Sequence, residues 1–123
     1  MVFQSKHIKG IGRGKNLGFP TINLTIPEDI LLDYGIYAAW IDIGGRAYKG
    51  ALHFGPVPTF GEKEPQLEVH LIDVTDDNFP NTEDVNIEVD IVEQIRDVQM
   101  FDETVDLVEQ IARDVEKVNK ILK

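Results

Sequence analysis

The chain has no cysteine. That removes disulfides, thiolate zinc sites, iron–sulfur clusters and cysteine nucleophiles together, and it fits a reducing compartment. It has no apolar run near the ~18 residues of a membrane span, and no apolar stretch follows its N-terminus as in a secretory leader. The expectation is a soluble, cytoplasmic protein with no membrane partner. Basic residues are scarce, 12 against 22 acids, for a formal net charge of −10. So acidic a chain is a poor general binder of nucleic acid, because phosphate backbones need a basic surface. The acid is unevenly spread. Residues 1–27 carry Lys6, Lys9, Arg13 and Lys15 and no Asp or Glu. A small anion site and a solvated basic strand end both fit that segment. Repeats, low-complexity tracts and linkers are absent, and 123 residues suit a single domain, 1–123, expected to be a monomer.

What is present is mostly strand. Thr21, Asn23 and Thr25 alternate with Ile22, Leu24 and Ile26, the period of a half-buried strand. Ile36 to Ile43 is rich in β-branched and aromatic residues and ends at Gly44-Gly45, a two-residue hairpin signal, after which Arg46 to His53 returns. Leu67, Val69 and Leu71 alternate with Glu68 and His70. Val85, Ile87, Val89 and Ile91 alternate with Asn86, Glu88 and Asp90. A weaker strand is expected near Val2–Ile8.

After Phe101 the period changes. Val105, Val108, Ile111, Ala112, Val115, Val118 and Leu122 recur every three or four residues, one face of a helix with Asp102 as its expected N-cap. The fold class read from this pattern is mainly β. Five or six strands joined by short turns form a small closed antiparallel barrel, with the C-terminal helix covering one opening.

Three groups of residues could carry chemistry. Gly10, Gly12, Gly14 and Gly18 lie close together among Lys9, Arg13 and Lys15. Such glycines let backbone N–H groups converge on an anion. Gly18 is followed by Phe-Pro-Thr rather than Lys-Ser/Thr, and a strand rather than a helix follows, so neither the Walker pattern nor the dinucleotide fingerprint applies. A plain flexible loop fits the spacing too. Thr21 and Asn23 share a strand face and offer hard oxygen donors, suited to magnesium held mainly by water and phosphate, or simply to a solvated face. Glu68 shares a face with His70, opposite three aliphatics. It could be a general base on a rigid strand or an ordinary surface carboxylate. His7, His53 and His70 have no metal-ligand spacing.

In order, the segments Gly10-Ile-Gly-Arg-Gly-Lys-Asn-Leu-Gly-Phe-Pro-Thr-Ile-Asn23, Gly35-Ile-Tyr-Ala38, Tyr48-Lys-Gly-Ala51, Gly55-Pro-Val-Pro-Thr-Phe-Gly61, Leu67-Glu-Val-His-Leu-Ile-Asp73, and Ile95-Arg96 followed by Phe101 resemble the riboflavin kinase (flavokinase) family. The resemblance covers nearly the whole chain. It implies a six-stranded antiparallel barrel with a C-terminal helix, and magnesium-dependent transfer of the ATP γ-phosphoryl group to the 5′-hydroxyl of riboflavin, giving FMN and ADP. It maps Gly10, Gly12, Gly14, Lys15 and Gly18 onto the loop over the nucleotide phosphates. Thr21 and Asn23 map onto the magnesium and phosphate contacts, and Glu68 onto the base that takes the hydroxyl proton. Arg96 and Phe101 map onto the flap over the flavin. The chain departs from the usual bacterial pattern at His53, Val57 and Val98, which are commonly Asn, Arg and Glu, and it has Asn81-Thr82-Glu83-Asp84 in place of a Tyr-Gly pair common after the acidic, polar loop that runs from Asp73 to Asp84. A flavin- or nucleotide-binding barrel without turnover is the alternative. Whether the chain stands free or is cut from a bifunctional enzyme stays open.

Overall fold

The computed structural model describes residues 1–8, 18–56 and 64–123. The Gly44-Gly45 hairpin forms as its sequence directs. Both glycines have positive φ, 61° and 88°, which a two-residue turn matching the strand twist requires. Gly45 N–H donates to the Asp42 carboxylate at 3.0 Å, which ties the turn to its own strand. The hairpin joins β4 (Gly35–Ile43) to β5 (Arg46–Gly55), paired without a break from Ile43↔Arg46 to Gly35↔Phe54.

Around it, all pairs are antiparallel. The other strands are β1 (Val2–Ser5), β2 (His7–Ile8), β3 (Thr21–Leu24), β6 (Gln66–Leu71) and β7 (Ile87–Arg96), and the sheet order is β1-β7-β4-β5-β6-β3-β2. Among the described residues seven strands stand where six were expected, for a local reason. The first stretch divides at Lys6: β1 pairs with β7 and β2 with β3. The two edges of the sheet are therefore consecutive in the chain, and the sheet curls until one interrupted strand joins both. Ser5 Oγ donates to Thr25 O at 2.6 Å and Thr25 N–H to Lys6 O at 2.9 Å, fixing the junction. The expected third strand is shorter than its pattern. Pairing stops at Leu24, and Ile26 is exposed rather than in the core.

The core lies inside the curl. Ile22, Leu24, Ile41, Leu52, Leu67, Val69, Leu71, Ile87 and Val89 are all buried there. This locks register, because a one-residue slip would turn Leu67, Val69 and Leu71 outward. At about 1.5–3 kcal/mol per buried aliphatic, that loss would rival the ~5–15 kcal/mol net stability of a domain.

The helix α1 (Thr104–Ile121) does not cover an opening. It packs on the outer face of the sheet, where Val118 and Leu122 meet Ala38, Ala51 and Ile72, with Trp40, Ile95, Val115 and Ile121 around them. Ala38 and Ala51 are small, which lets a helix backbone approach. The N-cap is Glu103 rather than Asp102, and no side-chain cap bond forms. The buried stripe also differs from the expected one. Val105 is 60% exposed and Ala112 is exposed, whereas Leu107 and Asp114 are buried. At 3.6 residues per turn Val105 and Ala112 fall on the side of the helix opposite Leu107 and Asp114, away from the buried face.

Candidate active site

Strand alternation builds the site. On β3, Ile22 and Leu24 enter the core while Thr21 and Asn23 stay half-buried on the outer face. On β6, Leu67, Val69 and Leu71 point in, and Glu68 and His70 point out. Pairing then puts Thr21 opposite His70 and Asn23 opposite Glu68. On its other side Glu68 faces His53 of β5, and His70 faces Ala51. Directly opposed side chains start from Cβ atoms about 4.5–5.5 Å apart. The row Asn23–Glu68–His53 therefore spans two strand spacings, about 10 Å. It continues through Ile36 of β4 to Arg96 at the end of β7.

His53 was not expected to take part. Its Nε2–H donates to Gly55 O at 2.8 Å, so the proton is on Nε2 and Nδ1 keeps its lone pair. Burial is the main cause of its lowered pKa. The Gly55 hydrogen bond and the Glu68 charge oppose that lowering, and the Arg96 charge adds to it. His53 therefore lies within electrostatic reach of both neighbours and is held toward the neutral form. His70 is pushed down to about 4 by burial alone. Its ring sits edge-on to Phe19 at 5.1 Å, and its Nδ1 is a buried polar atom without a hydrogen-bond partner among the described residues.

Phe19 belongs to the turn that delivers β3. Gly18 has φ 89°, a conformation that side chains resist, and among the described residues no atom lies within 4 Å of where a Cβ would stand. The glycine is there for backbone shape, and Pro20 O then accepts from Leu71 N–H at 3.2 Å, seating the start of β3 beside β6. Gly10, Gly12, Gly14 and Lys15, assigned to the nucleotide loop by resemblance, lie outside the described residues, as does Val57.

Arg96 and Phe101 are brought together, at 6.0 Å from guanidinium carbon to ring centroid. Arg96 is also gripped from α1. Its Nε donates to Asp114 Oδ1 at 2.9 Å and its Nη2 to Asp114 Oδ2 at 2.8 Å, a bidentate pair. Nη1 donates to Asp97 O at 3.1 Å, and Gln110 Nε2 donates to Asp114 Oδ1 at 3.0 Å. The Asp114 side chain is only 4% exposed and that of Arg96 15%. Asp114 was missed by sequence reasoning. Its one signal is an acid on the spacing Leu107, Ile111, Val118, where an aliphatic is expected.

Chemically, one face offers a hydroxyl, an amide oxygen and a carboxylate in adjacent positions. Two neutral oxygens and one carboxylate do not make a self-sufficient cage for a hard cation. They fit one that arrives with phosphate and water ligands already in place. Among the described residues no group of three or more His, Asp or Glu could hold a metal, and no helix is long and apolar enough to cross a membrane.

Comparison with known proteins gives the family of the chain. The family model described as "Flavokinase: Riboflavin kinase" matches residues 1–122. A bifunctional riboflavin kinase/FMN adenylyltransferase of Bacillus subtilis is 32% identical over 111 residues, covering 87% of this chain and 34% of that protein. The protein of the same description from Escherichia coli K12 is 33% identical over 108 residues, covering 87% of this chain and 33% of that protein. The chain thus spans about a third of the length of these relatives. A crystal structure described as a macrolide-efflux protein from Streptococcus pneumoniae superposes with a TM-score of 0.81 at 25% identity, covering 96% of this chain and 38% of that one. The outer-face row on a curled sheet, the helix packed beside it and the match across residues 1–122 lead to one statement: the chain belongs to the riboflavin kinase family.

Proposed function

We propose that the chain transfers the γ-phosphoryl group of ATP to the 5′-hydroxyl of riboflavin, producing FMN and ADP. The observation that carries this reading is the cross-strand placement of Asn23 and His53 on either side of Glu68, with Thr21 two residues from Asn23 on the same face. Phosphoryl transfer needs positioning and charge neutralisation more than covalent chemistry by the protein. In this reading Thr21 and Asn23 supply oxygen contacts to the metal–phosphate unit, and Gly10, Gly12, Gly14, Lys15 and Gly18 form the loop over the phosphates. Magnesium, when bound, neutralises phosphate charge. Glu68 orients the riboflavin hydroxyl and accepts its proton as the hydroxyl oxygen bonds to the γ-phosphorus. The bond from that phosphorus to the bridging oxygen breaks, and ADP leaves. A strand carboxylate suits this task because the ladder on both sides fixes its position.

Arg96 and Phe101 lie at the far end of the same row and are assigned to the flavin. An apolar cover there would exclude water and limit futile hydrolysis of ATP. The proposal extends to a monomer working in the cytoplasm on small molecules, consistent with a cysteine-free, acidic chain. The test is chromatographic. Riboflavin, ATP and magnesium are incubated with the chain, and FMN is the expected product, abolished by EDTA. Riboflavin bound but never phosphorylated would instead support a binding module.

A further inference from the structure

Asp114 occupies a place where the helix would be better served by an aliphatic. It falls on the buried stripe between Leu107 and Val118, and its carboxylate is almost wholly removed from water. Burying an ion pair is often no more stabilising than a well-packed apolar replacement. Stability of α1 on the sheet therefore does not account for an acid here. Its geometry does. Both carboxylate oxygens meet the Arg96 fork at 2.9 and 2.8 Å, and Gln110, one turn earlier, donates to Oδ1 at 3.0 Å and limits its rotation. The third engaged N–H of Arg96 goes to Asp97 O at 3.1 Å, the first carbonyl of the segment leading to Phe101, whose ring lies 6.0 Å from the guanidinium carbon. The constraint thus runs from α1 through Arg96 into residues 97–101. It does so at the strand end that closes the Asn23–Glu68–His53 row, where His53 registers the Arg96 charge.

We propose that Asp114 is a positioning residue: its buried carboxylate aims the Arg96 guanidinium and thereby holds the Phe101 segment in the place where riboflavin docks. This rests on the riboflavin kinase reading above. Lysine could not replace Arg96 in this arrangement, because an ammonium is a point charge without the planar fork.

The test is a double-mutant cycle with Asp114→Asn, Arg96→Gln and the double variant, alongside Arg96→Lys. Steady-state kinetics give KM for riboflavin and for magnesium–ATP separately. Fluorescence quenching gives riboflavin affinity without turnover. Each single variant is expected to raise the riboflavin KM and Kd about tenfold, the scale of removing one charge-assisted hydrogen bond. KM for magnesium–ATP should stay within about twofold, since those contacts lie at the other end of the row. The double variant should be no worse than the worse single, because Asp114 acts only through Arg96. If Asp114→Asn folds poorly, Arg96→Lys keeps the charge pair and should still raise the riboflavin KM. Unchanged riboflavin KM and Kd with a lowered Tm, or penalties that add in the double variant, would overturn the proposal. Parental chain that binds riboflavin without turning it over would refute the kinase reading, and the binding cycle would still decide the role of Asp114. Parental chain that binds no riboflavin refutes both.

Discussion

Asn23 of β3 stands directly opposite Glu68 of β6, on the half-buried outer face of a sheet whose inner face is closed core. Because every aliphatic beside them is buried to within about 1%, neither side chain can change face without dismantling the core. The site is as rigid as the ladder that carries it, and catalysis by positioning depends on that.

Asn23→Ala removes the amide oxygen and leaves the strand. Magnesium-dependent nucleotide affinity, measured by calorimetry with magnesium and a non-hydrolysable ATP analogue, is expected to fall about tenfold or more. Circular dichroism and Tm should stay near the parent, because Asn23 contributes nothing to the core. Unchanged affinity would remove Asn23 from the metal–phosphate contacts.

His70 governs an acid-side dependence. Burial holds its pKa down at about 4, below the ordinary 6.5 of histidine. The unfolded chain therefore binds a proton in the window between these values and the folded chain does not. Stability from the neutral ring is fully present above about 6.5 and is lost as pH falls through the window toward 4. His70→Gln should flatten the dependence of urea midpoints on pH between about 6.5 and 4, with the carboxylates contributing equally in both proteins. Parallel curves for parent and variant would show that the ring is not held neutral.

Gly50 is a packing test of the curl. A Cβ there would stand 2.8 Å from both Ile41 Cγ1 and Val69 Cγ1, which belong to the closed core. Gly50→Ala is expected to lower stability by about 1–3 kcal/mol through overpacking. Chemical denaturation that finds the variant as stable as the parent would mean that the interior is looser than described.

Strand periodicity made much of this legible in advance. Period-two alternation placed Thr21, Asn23, Glu68 and His70 on outer faces, and Gly44-Gly45 marked the hairpin, because both signals are local. The division of the first strand at Lys6 was not legible, since it follows from pairing with β7 on one side and β3 on the other. The helix stripe was misjudged at Val105, which lies on the helix side opposite Leu107, and at Asp114, whose acid hid a core position. His53 beside Glu68 and Arg96 gripped by Asp114 are tertiary relationships. Side-chain spacing along the chain carries no trace of either until strand register and helix docking are known.

Glu68→Gln compared with the parental chain tests the central claim most directly. FMN formation is followed with saturating riboflavin and magnesium–ATP. The amide keeps the size of the side chain and removes the proton acceptor. General-base catalysis is typically worth roughly 10²- to 10⁴-fold, so kcat should fall by about that much. Riboflavin and nucleotide affinity should stay within about threefold, and Tm near that of the parent, because a neutral amide fills the same space. A Glu68→Gln chain that keeps more than about a tenth of parental kcat, against an expected loss of at least ~10²-fold, would contradict the assignment of Glu68 as the base.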